Sequence, residues 1–139
     1  MIDAIYERRS IRNFLTKPIK EEDLLEILQS GIKAPSSKNR QPWKYVVIQG
    51  TAKEEMLEDF RRGIEREETG EALLPESGRH IAAAKYTVKI MSEAPVAVFV
   101  INTQGKGLSE KMTPEEHIYE ICNVQSISAS VQNMLLTAT

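Results

Sequence analysis

Apolar positions along the chain fall into blocks that alternate between a helical and a strand period. Ile2, Ile5 and Tyr6 make one short stripe at helical spacing, with Arg8 and Arg9 directly behind it. After Pro18, residues Leu24, Leu25, Ile27, Leu28 and Ile32 recur every three or four positions. Glu21, Glu22, Asp23 and Glu26 take the start or the outer face, where acids suit the N-terminal dipole, and Gly31 and Pro35 place the end. Lys44 to Gln49 reads as a β-strand whose Tyr45, Val46, Val47 and Ile48 are too apolar for an edge open to water. Thr51 and Glu54 predict a capping box that opens a helix with Met56, Leu57, Phe60 and Ile64 facing inward and Glu65, Glu67 and Glu68 on its polar face. Two glycines, a proline and two hydroxyls predict a loop from Thr69 to Gly78. A helical run from about Arg79 to Ser92 leads through Pro95 to a second buried strand, Val96 to Ile101, and then to the Gly105-Lys106-Gly107 loop.

The last block has the strongest start signal. Thr113 is an N-cap, Pro114 occupies the first helical position and Glu116 is the capping-box acid. Ile118, Ile121, Val124, Ile127, Val131, Met134 and Leu135 then continue either as one long helix or as two, broken at Asn123 to Ser126. Small residues at Ser126, Ser128, Ala129 and Ser130 admit a close neighbour, whether a packed helix, a flat ligand or a second subunit. The apolar pattern still runs at Ala138 with no glycine, asparagine or proline to stop it, so the terminus reads as cut rather than finished.

Composition narrows the classes. A chain of 139 residues, 41% hydrophobic and 27% charged, is one domain able to bury a core. The net charge of −2 is unevenly spread: residues 1–50 hold nine Lys/Arg against six Asp/Glu, net +3, which leaves −5 for the rest. With a pI near 5.8 and the positive charge gathered in one region, nucleic acid ranks low as a partner. The single Cys122 excludes an internal disulfide framework and a cysteine-rich metal site, and its helical setting makes it a small core residue. No apolar run approaches a membrane span and no leader pattern follows Met1, so the default compartment is the cytoplasm. Glu116, His117 and Glu120 lie within one helical turn, but with one histidine and Glu116 already explained by capping they read as a solvated face rather than a metal site. His80 has no nucleophile partner, no Gly-x-Ser-x-Gly is present, and Gly105 and Gly107 do not form a dinucleotide-binding turn.

Two segments carry candidate chemistry. Arg8-Arg9-Ser10-Ile11-Arg12 places three guanidinium groups and a hydroxyl in five positions. Extended, Arg8, Ser10 and Arg12 share one face; coiled, Arg8 and Arg12 still do, so two forks can converge on one dianion. Taken alone, the run also fits a solvated basic cluster. The second segment is Pro35-Ser36-Ser37-Lys38-Asn39-Arg40-Gln41-Pro42-Trp43, in which Trp43 beside prolines is a packing element.

Together these segments resemble those of the nitroreductase family, which has Arg-(Arg/His)-Ser-x-(Arg/Lys) followed by Pro-Ser-Ser-x-Asn-x-Gln-Pro-Trp. Val131-Gln132-Asn133-Met134-Leu135-Leu136-Thr137-Ala138 is similar to the family's long central helix. The resemblance implies an α+β fold, a mainly antiparallel central sheet flanked by helices, in a homodimer with the flavin site at the interface. It covers residues 1–139 as a single domain and lacks the family's C-terminal part, including its last strands. It further implies FMN as cofactor and NAD(P)H as electron donor, with hydride passing through the flavin to a nitroaromatic, a quinone or a similar small acceptor in a ping-pong cycle. Arg8, Arg9 and Ser10 would hold the FMN phosphate, and Arg12 the phosphate, the ribityl chain or the pyrimidine edge. Pro35, Ser36, Ser37 and Asn39 would reach the flavin from the partner subunit. The flavin carries the chemistry, so no catalytic side chain is expected. The competing expectation is a non-catalytic flavin-binding or dimerisation module. The physiological acceptor and the choice between NADH and NADPH are not written in the motifs.

Overall fold

The computed structural model of the chain describes residues 2–71, 76–107 and 110–139. Its elements run α1 (Ile2–Glu7), α2 (Glu21–Ile32), β1 (Trp43–Ile48), α3 (Gly50–Glu68), α4 (Ile81–Glu93), β2 (Ala97–Asn102) and α5 (Pro114–Thr137). Single 3-10 turns lie at Ser37–Asn39 and Ser77–His80. The strands pair in a two-stranded sheet, and the end of β2 meets the start of β1, where Thr103 N–H donates to Pro42 O at 2.8 Å. That pairing is antiparallel.

The chain divides into two compact units. The first holds residues 1–10, 20–46 and 99–139, and its centre is the packing of α2 on α5. Gly31 is buried there, and a Cβ on it would stand 2.7 Å from Tyr45 Oη and 2.9 Å from Met134 Cγ. The absent side chain is what lets α5 and β1 approach α2 so closely. Ala34, Pro42 and Met134 complete the apolar interior, and Asn133 Nδ2 crosses from α5 to donate to Ser30 O at 3.1 Å. The second unit holds residues 11–19 and 47–98, in which α3 packs on α4 around Leu57 and Ala94. Lys53 donates to Ser92 O and Ala94 O, so a cation meets the carbonyl end of α4.

The helix started by Thr113 forms as the motif predicts: Thr113 Oγ1 accepts from Glu116 N–H, and Glu116 Oε2 accepts from Thr113 N–H. It is one unbroken helix through Asn123 to Ser126. The hydroxyls of Ser126 and Ser128 turn back to the carbonyls of Cys122 and Val124, a geometry compatible with a continuous helix.

Several expectations are corrected. The capping box at Thr51 and Glu54 does not form: α3 begins at Gly50, after Gln49, without a side-chain cap. Gly50 takes φ +59, a turn that enters the helix before Thr51 is reached, and Thr51 is already inside it. Phe60 lies more on the surface than inside, whereas Met56, Leu57 and Ile64 face inward. β1 and β2 are half-buried rather than buried, because each has only one partner among the described residues. The helix expected from Arg79 starts as the turn Ser77–His80 and becomes α4 at Ile81. The expected loop from Thr69 to Gly78 includes residues 72–75, which lie outside the described residues.

Candidate functional site

The first candidate segment leaves α1 without further helix or strand through residues 8–15. Arg8 N–H closes α1 on Ala4 O, and the Arg8 side chain is half-buried. Arg9 Nη1 donates to Tyr6 O at 2.6 Å and to Arg8 O at 2.9 Å, so this guanidinium satisfies carbonyls at the helix end. Arg8, Arg9 and Ser10 therefore share one short stretch of the first unit, and Arg12 belongs to the second. All of them except Arg8 are exposed. The apolar stripe expected at Ile5 and Tyr6 is also exposed, so α1 delivers the cluster without burying that face.

The second segment is a bent loop between α2 and β1, and three of its residues have left-handed backbone: Lys38 (φ 53), Asn39 (φ 54) and Gln41 (φ 48). None is glycine, and such a run is uncommon. Local bonds hold it. Asn39 N–H donates to Ser36 O at 2.9 Å, Arg40 N–H to Ser37 O at 3.1 Å, and Gln41 N–H to Ser36 Oγ at 3.0 Å. Gln41 Nε2 donates to Asn39 Oδ1 at 3.3 Å, which leaves the Asn39 Nδ2 donor for another group. The loop is also tied to α5. Ser37 N–H donates to Ser126 Oγ at 3.2 Å, and the Arg40 guanidinium lies 4.3 Å from the centroid of the Tyr119 ring. At the strand end Pro42 is fully buried, and its carbonyl also accepts from Thr103 Oγ1 at 3.2 Å.

Against this loop lies a cleft of about 370 Å³ lined by Pro35, Ser36, Ser37, Cys122, Gln125, Ser126 and Ala129. Its walls are uncharged and, apart from Gln125, made of small side chains, which suits the approach of a flat neutral ring. Cys122 is half-buried in this wall rather than set in the core. A second cleft of about 190 Å³ lies beside Arg40, Tyr119, Lys106, Glu116, Glu120 and Asn123. Lys106 Nζ pairs with Glu116 Oε1 at 2.7 Å. That pairing, helped by the Thr113 N–H, holds the Glu116 carboxyl below its usual range and raises Lys106. Glu120 accepts from Asn102 Nδ2. Asn123 is 2% exposed and its side-chain carbonyl has no hydrogen-bond partner. Among the described residues no group of three or more His, Cys, Asp or Glu is placed to hold a metal.

Sequence reasoning marked the small residues of α5 but not their separate tasks. Ser126 meets the loop, whereas Ser130, 0% exposed, shares a 2.5 Å hydrogen bond with Tyr45 Oη. Burial pushes the Tyr45 hydroxyl above its usual value, and the bond to Ser130 acts in the opposite sense. Tyr119 carried no signal in the sequence, because its partner Arg40 is remote along the chain.

The Nitroreductase family model matches residues 5–139. The chain belongs to the nitroreductase family. A 5,6-dimethylbenzimidazole synthase of Rhodospirillum rubrum is 33% identical over 126 residues, which are 86% of this chain and 58% of that protein. Among solved structures, a BluB-like flavoprotein from Clostridium difficile 630 superposes with a TM-score of 0.72 at 26% identity, covering 99% of this chain and 68% of its own. A nitroreductase from Desulfovibrio desulfuricans, solved in complex with FMN, gives a TM-score of 0.60 at 29% identity, covering 99% and 60%. The chain thus has the nitroreductase-like α+β fold and spans about three fifths of the length of two of these three relatives.

Proposed function

We propose that the chain binds FMN and works as a flavin-dependent oxidoreductase, at a site built from two copies. The observation that carries this reading is the loop at Ser36–Gln41, held in a left-handed conformation beside a cleft with uncharged walls. Backbone in a sparsely populated region persists where the surroundings over-determine it, and such places are often where a ligand is met. The motif match at Arg8–Arg12 and the FMN-bound relative support the same conclusion.

The chain's own residues would bind and orient. Arg8 and Ser10 would hold a phosphate by charge-assisted hydrogen bonds. Arg9, anchored on Tyr6 O and Arg8 O, would stiffen that turn and keep its remaining donors for the same anion. Arg12 would add positive charge. Pro35, Ser36, Ser37 and Asn39 of the partner copy would close over the ring, with Asn39 Nδ2 donating to a carbonyl of the ligand. Small residues along the cleft would leave space for a stacked substrate. The chemistry supplied by bound FMN is hydride acceptance from NADH or NADPH and release to an electron-poor acceptor such as a nitroaromatic or quinone, the two substrates taking turns in one space. The homodimer is supported by a run of exposed apolar side chains on α5, Ile118, Ile121 and Val124 among them.

The test is an absorbance spectrum of the protein after incubation with FMN and desalting, followed by anaerobic NADH and then a nitroaromatic. A retained flavin band that bleaches with NADH and returns with the acceptor is the expected result. A colourless protein overturns the reading, and a band that NADH leaves unchanged reduces it to a flavin-binding module. The match to the Rhodospirillum rubrum protein favours a second reading, formation of 5,6-dimethylbenzimidazole. Accumulation of that compound in the reaction mixture, read by mass spectrometry, distinguishes the two.

A further inference from the structure

The loop at Ser36–Gln41 has three non-glycine residues in left-handed backbone, each with an intrinsic penalty, and its internal hydrogen bonds, from Asn39 N–H, Arg40 N–H, Gln41 N–H and Gln41 Nε2, all run to acceptors within the loop itself. Bonds such as Gln41 N–H to Ser36 Oγ close the turn on itself and do not fix where it sits. The hydrogen bonds that leave the loop decide its placement. Pro42 O, bonded by Thr103, anchors the strand side. On the side of the cleft the link is Ser37 N–H to Ser126 Oγ, joining positions 89 residues apart.

Ser126 is built for that link. It is 6% exposed, and its hydroxyl proton is committed to Cys122 O at 2.6 Å, so its oxygen faces the loop as an acceptor. A hydroxyl held in this way is a fixed acceptor rather than a free rotor, and it belongs to an unbroken helix. The Arg40 guanidinium over Tyr119 adds a second contact to α5, of a weaker and less directional kind.

We infer that Ser126 is a positioning residue: from α5 it holds the Ser36–Gln41 loop in the conformation that presents Asn39 to a ligand. This rests on the flavin reading above for the identity of the ligand, but not for the conformation itself. The second buried serine provides an internal control. Ser130 bonds Tyr45 at the junction of α2, β1 and α5 and has no bond to the loop.

The experiment compares Ser126→Ala, Ser126→Thr and Ser130→Ala with the wild-type chain in three measurements: FMN dissociation constant, thermal midpoint, and the NMR spectrum of the flavin-free protein. Ser126→Ala is expected to weaken FMN about tenfold, the loss of one well-placed hydrogen bond, with little change in midpoint, since alanine is a good helix former. Ser126→Thr restores the hydroxyl and returns affinity toward wild type. Ser130→Ala is expected to show the reverse pattern, a lower midpoint with FMN affinity near wild type. In the flavin-free spectrum, Ser126→Ala should lose slow exchange at the Ser37 amide and the strong intraresidue HN–Hα contacts that mark positive φ at Lys38, Asn39 and Gln41. If those contacts persist in Ser126→Ala, the inference is overturned whatever the flavin does. If the wild-type chain takes up no FMN while the contacts vanish in the variant, the positioning role stands and the flavin reading falls.

Discussion

Gly31 has no room for a side chain, and the neighbours that deny it are unequal. Met134 Cγ belongs to a flexible chain that can give way, whereas Tyr45 Oη is fixed by Ser130. Gly31→Ala is therefore expected to lower stability by about 1–3 kcal/mol in urea unfolding, the usual range for overpacking, although alanine is the better helix former. Ser130→Met or Ser130→Leu would fare worse, and Ser130→Ala would leave the Tyr45 hydroxyl short of a partner at about 1–3 kcal/mol, read in the same denaturation. At this scale the sequence was readable where chemistry is local. The serines of Pro35-Ser36-Ser37 and Asn39 stood out through their neighbours in the motif, and they do form one loop. Tyr119 and the separate duties of Ser126 and Ser130 did not stand out, because their partners Arg40, Ser37 and Tyr45 come near only after folding.

Among the elements, α3 and α5 show why similar local patterns can end differently. Thr113 begins α5 because Pro114 behind it is pre-set for the first helical position and Glu116 reaches back to the Thr113 N–H. Thr51 and Glu54 have the same spacing, but Gly50 turns the chain into α3 first. Thr113→Ala should therefore cost about 1 kcal/mol in thermal or chemical unfolding, and Thr51→Ala should change little. Glu116 makes a pH-dependent contribution to the same helix start. Lys106 and the Thr113 N–H hold its carboxyl below the ordinary value of about 4.5. A carboxyl lowered in the folded state adds stability that is complete above its unfolded value and is lost as pH falls through the folded one. The difference in thermal midpoint between wild type and Glu116→Gln should then be present at neutral pH and close as the solution is acidified below about 4.5. A gap unchanged in acid would mean that the difference does not come from the ionised carboxylate. Strand burial was another part of the element reading that failed. The apolar run Tyr45 to Ile48 suits a strand with neighbours on both sides, and among the described residues it has one.

At the level of the whole molecule, the family and its α+β fold were legible from three short segments in the right order, and the family match over residues 5–139 agrees with them. The resemblance carried the expectation of a homodimer, but which side chains would meet across copies was not legible, because an exposed isoleucine on a helix looks like a core residue until the rest of the fold is in place. Ile118 is 60% and Ile121 58% exposed, and both lie on α5. If two copies pair through this face, as proposed above, Ile121→Lys is expected to shift the protein toward monomer in sedimentation velocity and, with the site spanning both copies, to reduce FMN retention as well. Arg8→Ala with Arg12→Ala should remove FMN retention while leaving sedimentation unchanged, and retention in that double variant would return the basic cluster to mere surface. Along α5, Ser126, Ser130 and Met134 are buried at steps of four, and each serves a different client: the loop, the strand and α2. The helix therefore works as a gauge whose marks cannot be re-spaced. One alanine inserted between Ser126 and Ser130 would swing every later mark by about 100° around the axis. Loop, strand and α2 would then no longer find their partners on one face, so this chain has far more freedom to exchange residues along α5 than to change the helix's length between those marks.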